Sequence, residues 1–223
     1  MFKVVVLVGL AVLLAGCSGP EVATTPSSSA SPVPASTTKT SATPVAKDVT
    51  VYLPTYDEVK GAGLAVQTQP VVYTIGPHTP FHLVNACGGL PSDPLAQWAA
   101  QGISYIPGGG KGNVHQLVGE YAGLTGADVV ASVKQAISCR TVTIQDEQYS
   151  IVGDFSVPGL ADPQAGFCAS LRTHSLVHCV LVLGHANRAT SITFAGAWND
   201  NLKAVKAFAT RTAPLYVPAF ERD

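Results

Sequence analysis

Charge is scarce in this sequence. Acidic and basic residues together make up 12% of it, and 14 Asp and Glu nearly cancel 13 Lys and Arg. A chain so balanced has no strong field of either sign, which argues against nucleic acid as a partner and against electrostatic adhesion to a membrane surface. Aromatic residues are also few, at 7%, yet the hydrophobic fraction is 47%, so an apolar core is readily built. No Gly-x-Ser-x-Gly elbow occurs, there is no internal repeat, and no apolar run is as long as the roughly 20 residues of a comfortable transmembrane helix. The length beyond the N-terminal segments suits one ordinary domain.

The first residues have their own grammar. Met1-Phe2-Lys3 gives a short positive start, residues 4–14 are apolar with one Gly, and Leu14-Ala15-Gly16-Cys17 is followed by polar Ser18-Gly19-Pro20. A charged start, a short apolar stretch and small residues before a cut describe a secretory signal peptide. Leu-Ala-Gly-Cys in this position resembles the lipobox of bacterial lipoproteins. The resemblance implies a diacylglyceryl group on the Cys17 thiol, cleavage before Cys17, and a lipid-anchored chain on the extracytoplasmic face of the cell membrane. Residues 1–16 are thus expected to be a lipoprotein signal peptide. Residues 17–50, dominated by Ser, Thr, Pro, Ala and Val, are expected to be a lipidated, disordered tether, because such a composition cannot bury enough surface to offset its ordering entropy. Residues 51–223 are expected to form the folded domain.

Five cysteines divide as one plus four. With Cys17 assigned to lipid, Cys87, Cys139, Cys168 and Cys179 remain, an even set in an exported chain. Disulfides form and persist in that compartment, and four cysteines allow three pairings, among which spacing does not choose.

The element pattern predicts an α+β fold, an antiparallel sheet with flanking helices and two disulfides. Thr55-x-x-Glu58 reads as a capping box for a short helix ended by Gly61. Segments 71–75, 81–86, 103–106 and 114–121 read as strands between Pro and Gly. Val129, Val130, Val133 and Ile137 have helical spacing over 127–137, with Thr125 as N-cap. Strand-like runs follow at 140–145, 149–157, 166–173, 177–183 and 189–194. Tyr149, Ile151, Phe155 and Val157 are expected to share one face of a half-covered sheet. Asn199 is placed to cap a final helix over 200–212, with basic residues toward its end.

The candidate chemistry is thin. Ser36-Thr37-Thr38-Lys39 matches Ser-x-x-Lys, but a disordered tract supplies no rigid helix to join amine and hydroxyl. Gly108-Gly109-Gly110-Lys111-Gly112 lacks phosphate-loop spacing and reads as a hairpin loop. His174 and His178 have zinc-helix spacing in a segment that reads as strand, where four residues span roughly 13 Å. Two imidazoles that far apart cannot share a zinc ion whose ligands sit about 2 Å away. His178 and Cys179 would point to opposite sheet faces, and His78 and His82 flank Pro80. No catalytic residue, metal site or cofactor is assigned.

Beside these readings stands a resemblance. Residues 55–61, then Cys87-Gly88-Gly89, a strand over 114–121, a helix over 127–139 ending in Cys139, and Cys168, Cys179 and a last helix over 202–212 follow one another in a familiar order. In that order and spacing, residues 51–216 resemble the PknH-like extracellular sensor domains of mycobacterial receptor kinases and their lipoprotein relatives. One departure is Ala136, where that family often carries Trp. The resemblance implies Cys87–Cys139 and Cys168–Cys179 disulfides, and a cleft between sheet and helices that takes a ligand. The expected function is therefore a non-enzymatic, ligand-binding or sensor-like domain of a cell-envelope lipoprotein. Its expected partners are the membrane, through the lipid, and an unidentified small ligand or envelope protein. The alternatives are an accessory lipoprotein that works through a protein partner and, less favoured, an envelope hydrolase.

Overall fold

The computed structural model describes residues 47–66, 71–74, 81–105, 112–160, 163–171, 176–196 and 202–223. The expected signal peptide, Cys17, Ser36 to Lys39, His78, Gly108 to Lys111, His174 and Asn199 lie outside them. Among the described residues no helix is long and apolar enough to cross a membrane.

Among the described residues, ten strands form one antiparallel sheet. They are β1 (Ala65–Val66), β2 (Val71–Thr74), β3 (Asn85–Ala86), β4 (Ala96–Tyr105), β5 (Gly112–Tyr121), β6 (Thr141–Ile144), β7 (Glu147–Asp154), β8 (Gln164–Ser170), β9 (Val177–His185) and β10 (Arg188–Gly196). Their order is β1-β4-β5-β10-β9-β8-β7-β6-β3, with β2 also paired to β4. The α-helices among the described residues are α1 (Tyr56–Val59), α2 (Gly126–Ala136), α3 (Leu202–Thr212) and α4 (Val217–Phe220). The predicted class, an antiparallel sheet with flanking helices and two disulfides, is the observed one.

The sheet is covered on both faces, not half-covered. Val205, Phe208 and Ala209 of α3 and Phe220 of α4 pack with Val114, Val118, Leu181, Ile192 and Phe194 on one face. Val129, Val130 and Val133 of α2 pack with Tyr149, Ile151, Phe167, Val180 and Val182 on the other. This two-sided cover explains why Val177 through Leu183 are all buried, as a near-continuous apolar strand requires. Tyr149 and Ile151 belong to the α2 face, whereas Phe155 and Val157 belong to the α3 face. The expected common face is broken because the β7–β8 register shifts between Ile151 and Gly153, and such a bulge displaces the following side chains by one position.

Helix starts follow the predicted chemistry. The Thr125 hydroxyl accepts from the Asp128 backbone N–H at 3.2 Å, and the Asp128 carboxylate accepts from the Thr125 N–H at 2.8 Å. The Glu58 carboxylate likewise accepts from the Thr55 N–H at 2.7 Å. The chain does not stop at Gly61: a 3-10 turn carries it through Ala62, and Gly63, with φ of 73°, ends it. Helix α2 starts directly on the β9–β10 turn. A Cβ at Gly126 would lie 2.4 Å from the Arg188 carbonyl oxygen, and one at Gly184 would lie 2.4 Å from Gly126. Two glycines thus set the closest approach of this helix to the sheet.

Three segments differ from their predictions. Only Asn85–Ala86 of 81–86 is strand, because the Leu83 N–H is taken by the Asp93 carboxylate at 3.3 Å instead of a neighbouring chain. Of the run predicted at 103–106, residue 106 lies outside the described residues, and residues 103–105 are the tail of a strand that begins at Ala96. Its first half, rich in Ala and Gln, has weak strand propensity and is held by pairing to both β2 and β5. The folded unit also starts before the boundary drawn at residue 51. Val49 is fully buried, and Lys47 pairs with Glu120 at 2.7 Å.

Candidate functional site

A cavity of ≈ 280 Å³ lies on the α2 face of the sheet, lined by residues other than those of that helix. Its floor is set by register. Gln101 on β4 and Ser191 on β10 are each opposite Leu117 on β5, while Thr193 is opposite both His115 on β5 and Val180 on β9. Strand alternation sends all of these side chains to one face, with Val114, Val118, Ile192 and Phe194 on the other. The walls come from the far side of the strand order, from Asn85 on β3 and from Val142, Thr143 and Ile144 on β6. Residues of β4 and β6 can line one cavity only if the sheet curls over on itself.

A disulfide braces that wall. Cys87 directly follows β3, Cys139 lies just before β6, and the two are bonded with a Cα–Cα distance of 6.1 Å. The second bond joins Cys168 and Cys179, cross-strand partners on β8 and β9 with Cα atoms 4.0 Å apart. Both pairings agree with those implied by the family resemblance. Cys179 lies in the core of the α3 face and His178 lines the cavity on the opposite face, as strand alternation requires.

Another wall is fixed by one carboxylate. Asp93, 5% exposed, accepts from the Leu90 N–H at 2.8 Å and the Leu83 N–H, and its Oδ2 stands 2.9 Å from His82 Nδ1. His82 is thereby held at the cavity margin. Glycine at position 89, with φ of 116°, makes room for this: a Cβ there would stand 2.7 Å from His82 Nδ1.

Two polar groups of the lining are buried, Ser191 and, at 6% exposed, His178, whose ring meets Tyr149 edge to face at 4.9 Å between centroids. The His178 Nδ1 is buried with no hydrogen-bond partner among the described residues. Burial, aided by the nearby His115, pushes its pKa down to about 4. Burial lowers that of His115 as well. Both imidazoles are therefore neutral near pH 7, each with one donor and one acceptor nitrogen. No Lys or Arg is among the described lining residues.

The cavity is roofed by the β6–β7 turn. Gln145 and Asp146 have φ of 51° and 64°, both left-handed, and both line the cavity. Such a two-residue turn ordinarily takes Asn-Gly, since left-handed backbone costs about 1–2 kcal/mol per residue with a Cβ. The Gln145 amide nitrogen stands 3.5 Å from His115 Nε2.

No family model matches the sequence, and no curated protein does. Among solved structures, the extracellular domain of PknH from Mycobacterium tuberculosis is similar, with a TM-score of 0.47 and 12% identity over 77% of this chain and 92% of that one.

Of the residues singled out in the sequence, the structure joins the four cysteines in two bonds and brings His82 and His178 to one cavity. It places no Ser hydroxyl in hydrogen bond with a cavity histidine among the described residues, and no group of three or more potential metal ligands. Sequence reasoning missed His115, Gln145, Ser191 and Thr193. The one signal that pointed to the last two is the alternation in β10, where polar Ser191 and Thr193 are each followed by an apolar residue, Ile192 and Phe194.

Proposed function

We propose that this chain is a cell-envelope lipoprotein, anchored through lipid on Cys17, whose folded domain binds a ligand in the cavity beside α2 and does no chemistry on it. The observation that carries this reading is the cavity itself. It is walled by a disulfide-braced edge and lined by a buried imidazole, His178, whose Nδ1 has no hydrogen-bond partner among the described residues. An unpaired buried polar atom costs about 1–3 kcal/mol, which a ligand hydrogen bond offsets. Binding is favoured over acyl transfer because the His82–Asp93 pair has no hydroxyl hydrogen-bonded to it among the described residues. The resemblance of the four-cysteine order to that of sensor domains fits the same role, and the Ser/Thr/Pro segment between Cys17 and the domain gives a tethered binder its reach.

The test is a thermal-shift screen of the full chain against envelope glycans, lipids and small metabolites. A binder selective for the native state raises Tm with ligand concentration. If every class leaves Tm unchanged, docking on a protein partner becomes the better reading.

A further inference from the structure

The chemistry of the cavity lining narrows the ligand further, on the premise that the cavity is the binding site. We infer that it takes an uncharged polyhydroxylated ring, a single sugar or cyclitol unit, gripped between the strained Gln145-Asp146 turn and the polar floor of His115, His178, Ser191 and Thr193.

Three observations converge on this class. The first is hydrogen-bonding capacity. Carboxamides, neutral imidazoles and hydroxyls can each donate and accept, as sugar hydroxyls do, whereas an ionised carboxylate only accepts, a phosphate is chiefly an acceptor that carries negative charge, and an ammonium only donates. Among the described lining residues no cation is present to hold an anion, and the carboxyl of Asp146 at the roof disfavours one. The second is the apolar part of the lining. Leu117 and Val180 on the floor and Val142 and Ile144 on the wall give an aliphatic patch for the C–H face of a ring. The third is size. A volume of ≈ 280 Å³ lies just below the range of small-molecule sites, roughly 300 to 1,000 Å³, and suits one ring better than a lipid chain or a peptide.

The turn adds an argument of a different kind. Gln145 and Asp146 occupy left-handed backbone that Asn-Gly would adopt with less strain. A locally unfavourable choice at the roof of a cavity is accounted for when the side chains are needed there. The Gln145 amide already stands 3.5 Å from His115 Nε2, so roof and floor can reach the same ring.

The experiment is saturation-transfer NMR and titration calorimetry on the full chain with three sets of probes. Glucose, galactose, mannose and myo-inositol form the neutral set, glucose 6-phosphate the anionic one, and decanoate the apolar one. At least one neutral probe should bind, more tightly than the phosphate and the fatty acid. The double change Gln145→Asn with Asp146→Gly should weaken it at least tenfold while raising Tm. Thr193→Val, which removes one floor hydroxyl and keeps the shape, should weaken it at least threefold. Tighter binding of glucose 6-phosphate or decanoate would overturn the assignment of ligand class and leave the binding role standing. Neutral-sugar binding unchanged by both variants would place the site elsewhere. No binding by any probe at millimolar concentration would overturn the ligand class, and no response in the broader thermal-shift screen would overturn the binding role as well.

Discussion

His178 and Tyr149 meet edge to face, with ring centroids 4.9 Å apart and planes at 75°. The contact belongs to a neutral imidazole: burial first, and the neighbouring His115 second, lower the His178 pKa from 6.5 to about 4. The unfolded chain takes up this proton as pH falls through 6.5, and the folded chain does so only near 4. Stability is therefore full above about pH 6.5 and declines between 6.5 and 4, by at most ~1.4 kcal/mol per pH unit and on the order of 3 kcal/mol in all. His115, also lowered by burial, acts in the same direction. The capping carboxylate of Asp128, lowered by hydrogen bonds from Thr125, adds its own loss only below about pH 4. Urea unfolding at pH 7, 6, 5 and 4 should show the decline, and His178→Gln should flatten most of it. An identical slope in the variant would show that some other group is responsible.

The two disulfides should contribute unequally. Cys87–Cys139 spans 52 residues and Cys168–Cys179 spans 11. In the chain-entropy picture their loss costs about 4 and about 3 kcal/mol respectively. Paired Cys→Ser variants, compared by chemical denaturation, should follow that order. Loss of the Cys87–Cys139 bond should also weaken any cavity ligand, because it braces β3 and β6; loss of the other bond should leave affinity nearly intact. Non-reducing peptide maps should contain only these two linked pairs, and a Cys87–Cys168 peptide would contradict the fold.

Arg188 is a buried cation, 5% exposed, that ties the two ends of the domain to the sheet. Its Nε donates to the Phe220 carbonyl at 3.0 Å, its Nη2 donates to the Arg222 carbonyl, and its guanidinium lies 4.1 Å from the Tyr52 ring centre. Arg188→Ala strands those carbonyls and should cost about 3 kcal/mol. Lysine keeps the charge but has neither the planar fork nor the stacking face, so Arg188→Lys should recover less than half of the loss. A lysine variant as stable as the parent in thermal and urea unfolding would refute this account.

Cys17→Ser should abolish lipid attachment, because no other thiol lies near the expected cut. Metabolic labelling with a fatty acid reads this directly. Label that survives the substitution would remove the lipoprotein reading, while leaving the folded domain and its cavity as described.

Local rules were enough for much of the fold. The Thr125 cap needs only a hydroxyl and a carboxylate three residues on, and the helix that follows needs only its repeating valines, so both are legible in a short window. The same holds for β9, whose run of buried residues from Val177 to Leu183 is apolar at nearly every position. The disulfide pairing was not legible from spacing and came from resemblance alone. Strand β4 was half missed because Ala99 and Ala100 carry no strand signal of their own; they are fully buried, each paired across to both β2 and β5.

By itself, then, the sequence determined where α1 and α2 begin, that β9 is apolar along most of its length and that four cysteines would be bridged, since each depends on neighbours a few residues apart or on composition. Only the tertiary structure decided the cavity. His115, Gln145, His178 and Thr193 come from β5, the β6–β7 turn, β9 and β10, and no pattern along the chain links them. What brings them together is strand register, which sends alternate side chains to one face, and sheet curl, which folds β6 back over β4. A one-residue slip in any of those strands would send its contribution to the opposite face.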